Sequence, residues 1–113
     1  MSIIERRFTY KGRIKVSTKD LALARSGGKT CTIRLGKLAV ARDITYLSDG
    51  RDSLKVKIVK VDSDRVYGDF TDADARLDGL ESMRELDEDL RRYYRSIDPM
   101  QPMTVIHFQP VDS

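Results

Sequence analysis

SGGKTCTIRLG, residues Ser26 to Gly36, joins two different periodicities. Upstream of it, Leu21, Leu23 and Ala24 follow Ser17 and Thr18, and either hydroxyl residue can cap a short helix over that apolar set. Gly27 and Gly28 then stop the helix. One of the two can take the positive φ of a helix C-terminus, and together they turn the backbone tightly into the next element. From Thr30 to Arg34 β-branched residues alternate, which predicts a strand. On it Thr30, Thr32 and Arg34 share one face and Cys31 and Ile33 the other. The apolar pair faces a core. The polar face, with Lys29 at its entrance, faces solvent or a cleft.

Outward from this junction, Arg13 to Val16 alternates as a strand, and Arg42 to Leu47 and Ser53 to Asp62 form two more, joined through Ser48-Asp49-Gly50 as a hairpin. Leu54, Val56 and Ile58 give the second of these one buried side. Past Phe70 the composition turns acidic. Ser82-Met83-Arg84-Glu85 has the spacing of a capping box. Met83, Leu86, Leu90 and then Tyr93 or Tyr94 make the apolar stripe of the helix it opens, which Asp98-Pro99 ends. Met103 to Gln109 alternates as a closing strand.

With 113 residues the chain is sized for one domain with one core, and 40% hydrophobic residues are enough to form it. Residues 1–61 hold 15 Lys and Arg against 5 Asp and Glu; residues 62–113 hold 6 against 13. That asymmetry marks a basic surface for a polyanion, nucleic acid first, unless the two halves neutralise each other in space. A single cysteine, Cys31, excludes an internal disulfide and fits a reducing compartment. No apolar run reaches the roughly 18–20 residues of a membrane span, and Met1 to Lys11 has no signal-peptide core, so a cytoplasmic location is expected.

The order of strand, helix, glycine turn with lysine, Thr-rich strand, hairpin, acidic helix and final TVIHF strand resembles the ASCH domain family, whose fold is PUA-like. Of the family signature G-x-K-x-x-E-x-R, Gly27, Lys29 and Arg34 match, and Thr32 stands where the signature has glutamate. One branch instead carries G-x-K-T-x-T-I-R, which Gly27, Lys29, Thr30, Thr32, Ile33 and Arg34 all fit. That branch resembles single-domain N4-acetylcytidine amidohydrolases with a catalytic lysine, threonine and glutamate. The resemblance implies an α+β fold: a PUA-like small β-barrel of about five to six strands with two or three flanking helices. It also implies one domain over 1–113, with its motif-bearing core at about 13–110.

Carried over by motif, Lys29 and Thr32 take the first two catalytic positions and Asp78 the third, with Glu81 as the other carboxylate within reach. Amide hydrolysis needs a nucleophile, a base for its proton and an acid for the leaving nitrogen. Thr32 supplies the hydroxyl. Lys29 can be the base only when neutral, which requires its pKa to fall from about 10.4 toward about 7–8 through burial or a neighbouring cation such as Arg34. Asp78 is shorter than glutamate by one methylene, and a misplacement of about 1 Å can cost about a hundredfold in rate.

The leading expectation is therefore binding of RNA or a modified, cytidine-type nucleoside in a small polar cleft, with Gly27, Gly28, Thr30 and Arg34 contributing beside the trio. Amidohydrolase action on acylated cytidine is the alternative. Ribonuclease action, a third family reading, lacks the usual histidine pair or carboxylate cluster. Arg6, Arg7, Lys11, Arg13 and Lys15 form a basic approach region and Lys55 with Lys57 a second, both suited to phosphates. Tyr46, Tyr67, Tyr93 and Tyr94 can stack bases. Tyr67 is the one expected at the cleft rim, while Tyr93 and Tyr94 are expected to finish the helix stripe. No metal site or cofactor is expected, since His107 and Cys31 are each the only residue of their kind.

Overall fold

In a computed structural model the described residues are 9–10, 13–94 and 96–111, with the backbone alone described for 9–10. Ser17 is the cap that opens α1 (Thr18–Ser26): its hydroxyl accepts the N–H of Asp20 at 3.1 Å. Gly27 closes the helix in the left-handed conformation, φ 87°, and its N–H bonds back into the last turn. The strand read from SGGKTCTIRLG follows as β3 (Cys31–Leu35).

Around it lie β1 (Thr9–Tyr10), β2 (Arg13–Lys15), β4 (Ala39–Val40), β5 (Ile44–Ser48), β6 (Ser53–Val66) and β7 (Pro102–Pro110). The expected hairpin is β5 and β6, closed by Asp49, whose carboxylate accepts the N–H groups of Arg51 and Asp52. Two further helices are α2 (Asp72–Leu77) and α3 (Met83–Arg91). α2 had no stripe to announce it; Thr71 and Asp74 form its reciprocal capping box. At α3 Ser82 caps as predicted, but the Glu85 carboxylate reaches past it to the N–H of Glu81.

Five strands form one mixed sheet in the order β2-β5-β6-β7-β3, parallel between β2 and β5 and antiparallel elsewhere, while β1 and β4 pair separately. The expected barrel is corrected here, because the sheet does not close. Its edge strands β2 and β3 share no ladder. They approach closely enough for the Arg34 guanidinium on β3 to donate to the Lys15 carbonyl on β2 at 2.7 Å, so a side chain spans the gap.

Each face carries its own core. Ile14, Leu47, Val56, Ile58, Ile106 and Phe108 pack under Leu21 and Ala24 of α1. Cys31, Ile33, Leu35, Met103 and Val105 pack under Ala75 of α2 and Leu86 and Leu90 of α3. Cys31 and Ile33 are thus core residues, as their alternation predicts. α2 and α3 pack on the residues of β3 and β7. No described helix is long and apolar enough to cross a membrane.

Candidate functional site

Gly27 sets the position of Lys29. Both Gly28 and Lys29 donate their N–H groups to Leu23 O, which folds the chain back over the end of α1 before β3 begins. Thr30 N–H then bonds to Leu77 O at 2.8 Å, tying the start of the strand to the C-terminal end of α2. The residue after Leu77 is Asp78, the C-cap of α2. Gly79 follows with φ 86°, and a Cβ there would come within 3.1 Å of Leu23 Cδ1 and 3.3 Å of Lys29 Cβ. Only glycine fits both that conformation and that approach.

These contacts bring Lys29 onto Asp78. Its ammonium donates to the Asp78 carboxylate and, at 3.1 Å, to the Asp78 main-chain carbonyl. The lysine so acts as counter-ion and as a cation at the helix's carbonyl end. Both side chains are buried, at 3% and 8% exposure. Burial pushes the Asp78 carboxyl up to about 6, against the pull of the Lys29 ammonium in the opposite direction.

Thr32 is buried on β3, and its hydroxyl oxygen accepts the Arg34 Nε–H at 3.0 Å. One lone pair is thus engaged, and the hydroxyl hydrogen is left to donate elsewhere. Lys29, Thr32, Arg34 and Asp78 line one cleft of 640 Å³ that also takes in Lys15 and runs between the β2–α1 turn, β3 and α3. It has the size of a small-molecule site.

Other expected residues lie elsewhere. Gly27, Gly28 and Thr30 shape the turn without lining the cleft, Arg13 stands on the edge strand β2, and Lys55 and Lys57 stand on the central strand β6. Arg6, Arg7 and Lys11 fall outside the described residues. Glu81 does not line the cleft; its main-chain N–H donates to the Glu85 carboxylate instead. Tyr67, expected at the cleft rim, is not among the residues that line this cleft: its ring packs edge-on against Phe70 at 6.5 Å and its hydroxyl donates to Asp87, tying α3 to the turn after β6.

Two aromatics take the place Tyr67 was assigned. α3 ends at Arg91, short of the predicted stripe, so Tyr93 and Tyr94 leave the helix and line the cleft mouth. Tyr94 keeps one side on the core, while Tyr93 is 74% exposed. Glu85, Glu88 and Asp89 of α3 also line the cleft and make its far wall acidic. The sequence places these carboxylates on a helix but contains no sign of what that helix faces.

Cys31 and His107 are cross-strand partners in the β3–β7 register. Burial, reinforced by the Asp78 charge, raises the Cys31 thiol to about 12, which leaves it a core residue and no nucleophile.

The fold is ASCH-like. The chain is similar to the crystal structure of an ASCH domain from Lactobacillus crispatus, with a TM-score of 0.70, 15% identity, and coverage of 94% of this chain and 80% of that one. It is similar also to a hypothetical protein, PH0355, with a TM-score of 0.62, 15% identity and coverage of 94% and 100%. A third likeness is to protein EF3133 of Enterococcus faecalis, of the DUF984 family, with a TM-score of 0.62, 20% identity and coverage of 99% and 82%. At these identities the likeness is one of fold. No protein-family model matches the sequence, and no curated protein matches it significantly.

Proposed function

We propose that the cleft binds a modified nucleoside carrying an acylated exocyclic amine. The observation that carries this reading is the convergence of Lys29, Thr32, Arg34 and Asp78 in one cleft with Tyr93 and Tyr94 at its mouth. A base can stack on the exposed Tyr93 ring while its amide-like substituent meets donors and an acceptor at the bottom. The acidic wall of Glu85, Glu88 and Asp89 opposes a phosphodiester chain running through the cleft, which favours a single nucleoside over RNA there.

A second reading, hydrolysis of the acyl group, is favoured by the buried Lys29–Asp78 pair itself. In a dry site one proton transfer converts ammonium and carboxylate into amine and carboxylic acid. The amine can then take the Thr32 proton as Oγ1 attacks the acyl carbon, and the acid can protonate the departing nitrogen. Water attacks the resulting acyl ester, giving its proton to the Asp78 carboxylate and its hydroxide to the acyl carbon, and Thr32 recovers its proton from Lys29. Arg34, bonded to Thr32, positions the hydroxyl.

Incubation with N4-acetylcytidine separates the readings, with binding followed by calorimetry and cytidine release by chromatography. Saturable binding supports nucleoside recognition. Release that Thr32→Ala abolishes supports hydrolysis; binding without release leaves recognition alone. Absence of any binding at millimolar nucleoside sinks both.

A further inference from the structure

α3 walls one side of the cleft, and its last turn runs on past Arg91. Arg92 keeps helical backbone angles, and the N–H groups of Tyr93 and Tyr94 both bond to Leu90 O, at 3.1 and 3.0 Å. Asp89 and Tyr93, four residues apart on that turn, are therefore neighbours, and both line the cleft. The three carboxylates that α3 gives the cleft are not equivalent. Glu85 accepts the main-chain N–H of Glu81 at 2.6 Å, and Glu88 accepts from the Arg84 guanidinium at 3.3 Å on the exposed side of the helix. Asp89 alone of the three is half-buried, and its ion pair with Arg92, at 3.7 Å, is longer than a hydrogen bond. A carboxylate offers about four lone-pair sites, so this contact leaves Asp89 able to accept from two further donors.

The other carboxylates of the cleft lie deeper. Asp78 is buried against Lys29, and the Asp20 charge stands near enough to help raise the Asp78 carboxyl. The bottom also holds an unspent donor: Thr32 is 4% exposed, and its hydroxyl hydrogen, not engaged by Arg34, can meet an acceptor on a ligand's substituent. With the exocyclic substituent there and the ring against Tyr93, the glycosidic bond points out of the cleft, because it leaves a pyrimidine on the side opposite the exocyclic amine. The sugar then arrives at the turn that carries Asp89. We infer that Asp89 reads the ribose, accepting hydrogen bonds from its 2′- and 3′-hydroxyls, so that the cleft selects a ribonucleoside over its 2′-deoxy counterpart and over the free base. This inference rests on the nucleoside reading above. Two adjacent O–H donors suit the two oxygens of one carboxylate, and a charged acceptor makes the stronger kind of hydrogen bond. A phosphate on either hydroxyl would meet like charge instead, so the diol must be free.

Calorimetric titration of the full chain with N4-acetylcytidine, its 2′-deoxy analogue and N4-acetylcytosine tests it. The parent is expected to bind the ribonucleoside about tenfold more tightly than either of the others, the worth of a hydrogen bond to a charged group that is partly in solvent. In Asp89→Ala that ratio is expected to fall to about one, through a loss confined to the ribonucleoside; a merely structural defect would weaken all three ligands alike. Asp89→Asn, which keeps one acceptor oxygen, should fall between the two. Equal affinity of the parent for the ribo and 2′-deoxy ligands overturns the ribose assignment while leaving the nucleoside reading in place. A preference that survives Asp89→Ala overturns the role given to Asp89. Absence of binding by all three ligands overturns this inference together with the nucleoside reading on which it rests.

Discussion

The Lys29 ammonium and the Asp78 carboxylate, 49 residues apart in sequence, form a buried ion pair at the point where the end of α2 meets the start of β3. Taking two charges out of water costs several kcal/mol per ion, and here mutual attraction and the bond to the Asp78 carbonyl offset it. A pair of this kind contributes little net stability when intact and a large loss when halved.

Lys29→Met and Asp78→Leu should each destabilise the fold by about 3–5 kcal/mol, since each strands the other charge. The double variant should lose at least about 2 kcal/mol less than the sum of the two. Urea unfolding of the four proteins gives the coupling directly, and strict additivity would show that the pair is not energetically linked.

Stability should also depend on pH through Asp78. Its folded pKa of about 6 lies above the 3.8 of the open chain, so between those values the folded state keeps a proton that the unfolded state has lost. Stability from this group therefore falls as pH rises from about 4 to about 6, by up to about 3 kcal/mol, and levels off above. Asp49, held down at about 2 by the N–H groups of Asp52 and Arg51, acts with opposite sign and only below about pH 4. Unfolding free energies measured across pH 4–7 should slope downward in the parent and lose that slope in Asp78→Asn.

Gly79→Ala should cost about 2 kcal/mol or more. Left-handed backbone alone costs an L-residue about 1–2 kcal/mol, and the added methyl meets Leu23 and the Lys29 stem. A melting temperature within about 1 °C of the parent would show that the turn adapts.

Tyr93→Ala should reduce nucleoside affinity about tenfold while leaving thermal stability almost unchanged, because the ring is mostly in solvent. Calorimetric titration beside a melting curve separates the two effects. Equal affinity would place the base away from Tyr93.

Cys31 should be silent toward a thiol-specific disulfide reagent in the native state and react fully in denaturant. Rapid native reaction would mean that the β3 core opens far more readily than its burial implies.

The local signals were legible where a residue reports on neighbours within one turn. A cap at Ser17 or Thr18, a left-handed stop at Gly27 or Gly28, the two faces of β3 and the hairpin through Ser48-Asp49-Gly50 each rest on contacts of two to four residues in sequence, and the structure chose Ser17 and Gly27. The ASCH-like fold followed from their order together with the spacing of Gly27, Lys29, Thr32 and Arg34. α2 escaped notice because six residues hold too few apolar positions to show a period. Tyr93 and Tyr94 were assigned to the helix stripe because the spacing continues past the residue where the helix itself stops.

Closure of the sheet, the wall of the cleft and the partner of Lys29 were decided only in three dimensions. Whether β2 and β3 pair or leave a gap for Arg34 depends on how far the whole sheet curls, a sum over five strands that no one segment encodes. Asp78 as a residue could be picked out along the chain, but its contact with Lys29 requires Gly79 to lie against Leu23 and Lys29. Sequence alone determined which side chains and turns this protein has to work with, because capping and alternation act over a few residues; the tertiary structure decided which of them meet, because burial of a charge depends on packing between segments far apart in the chain.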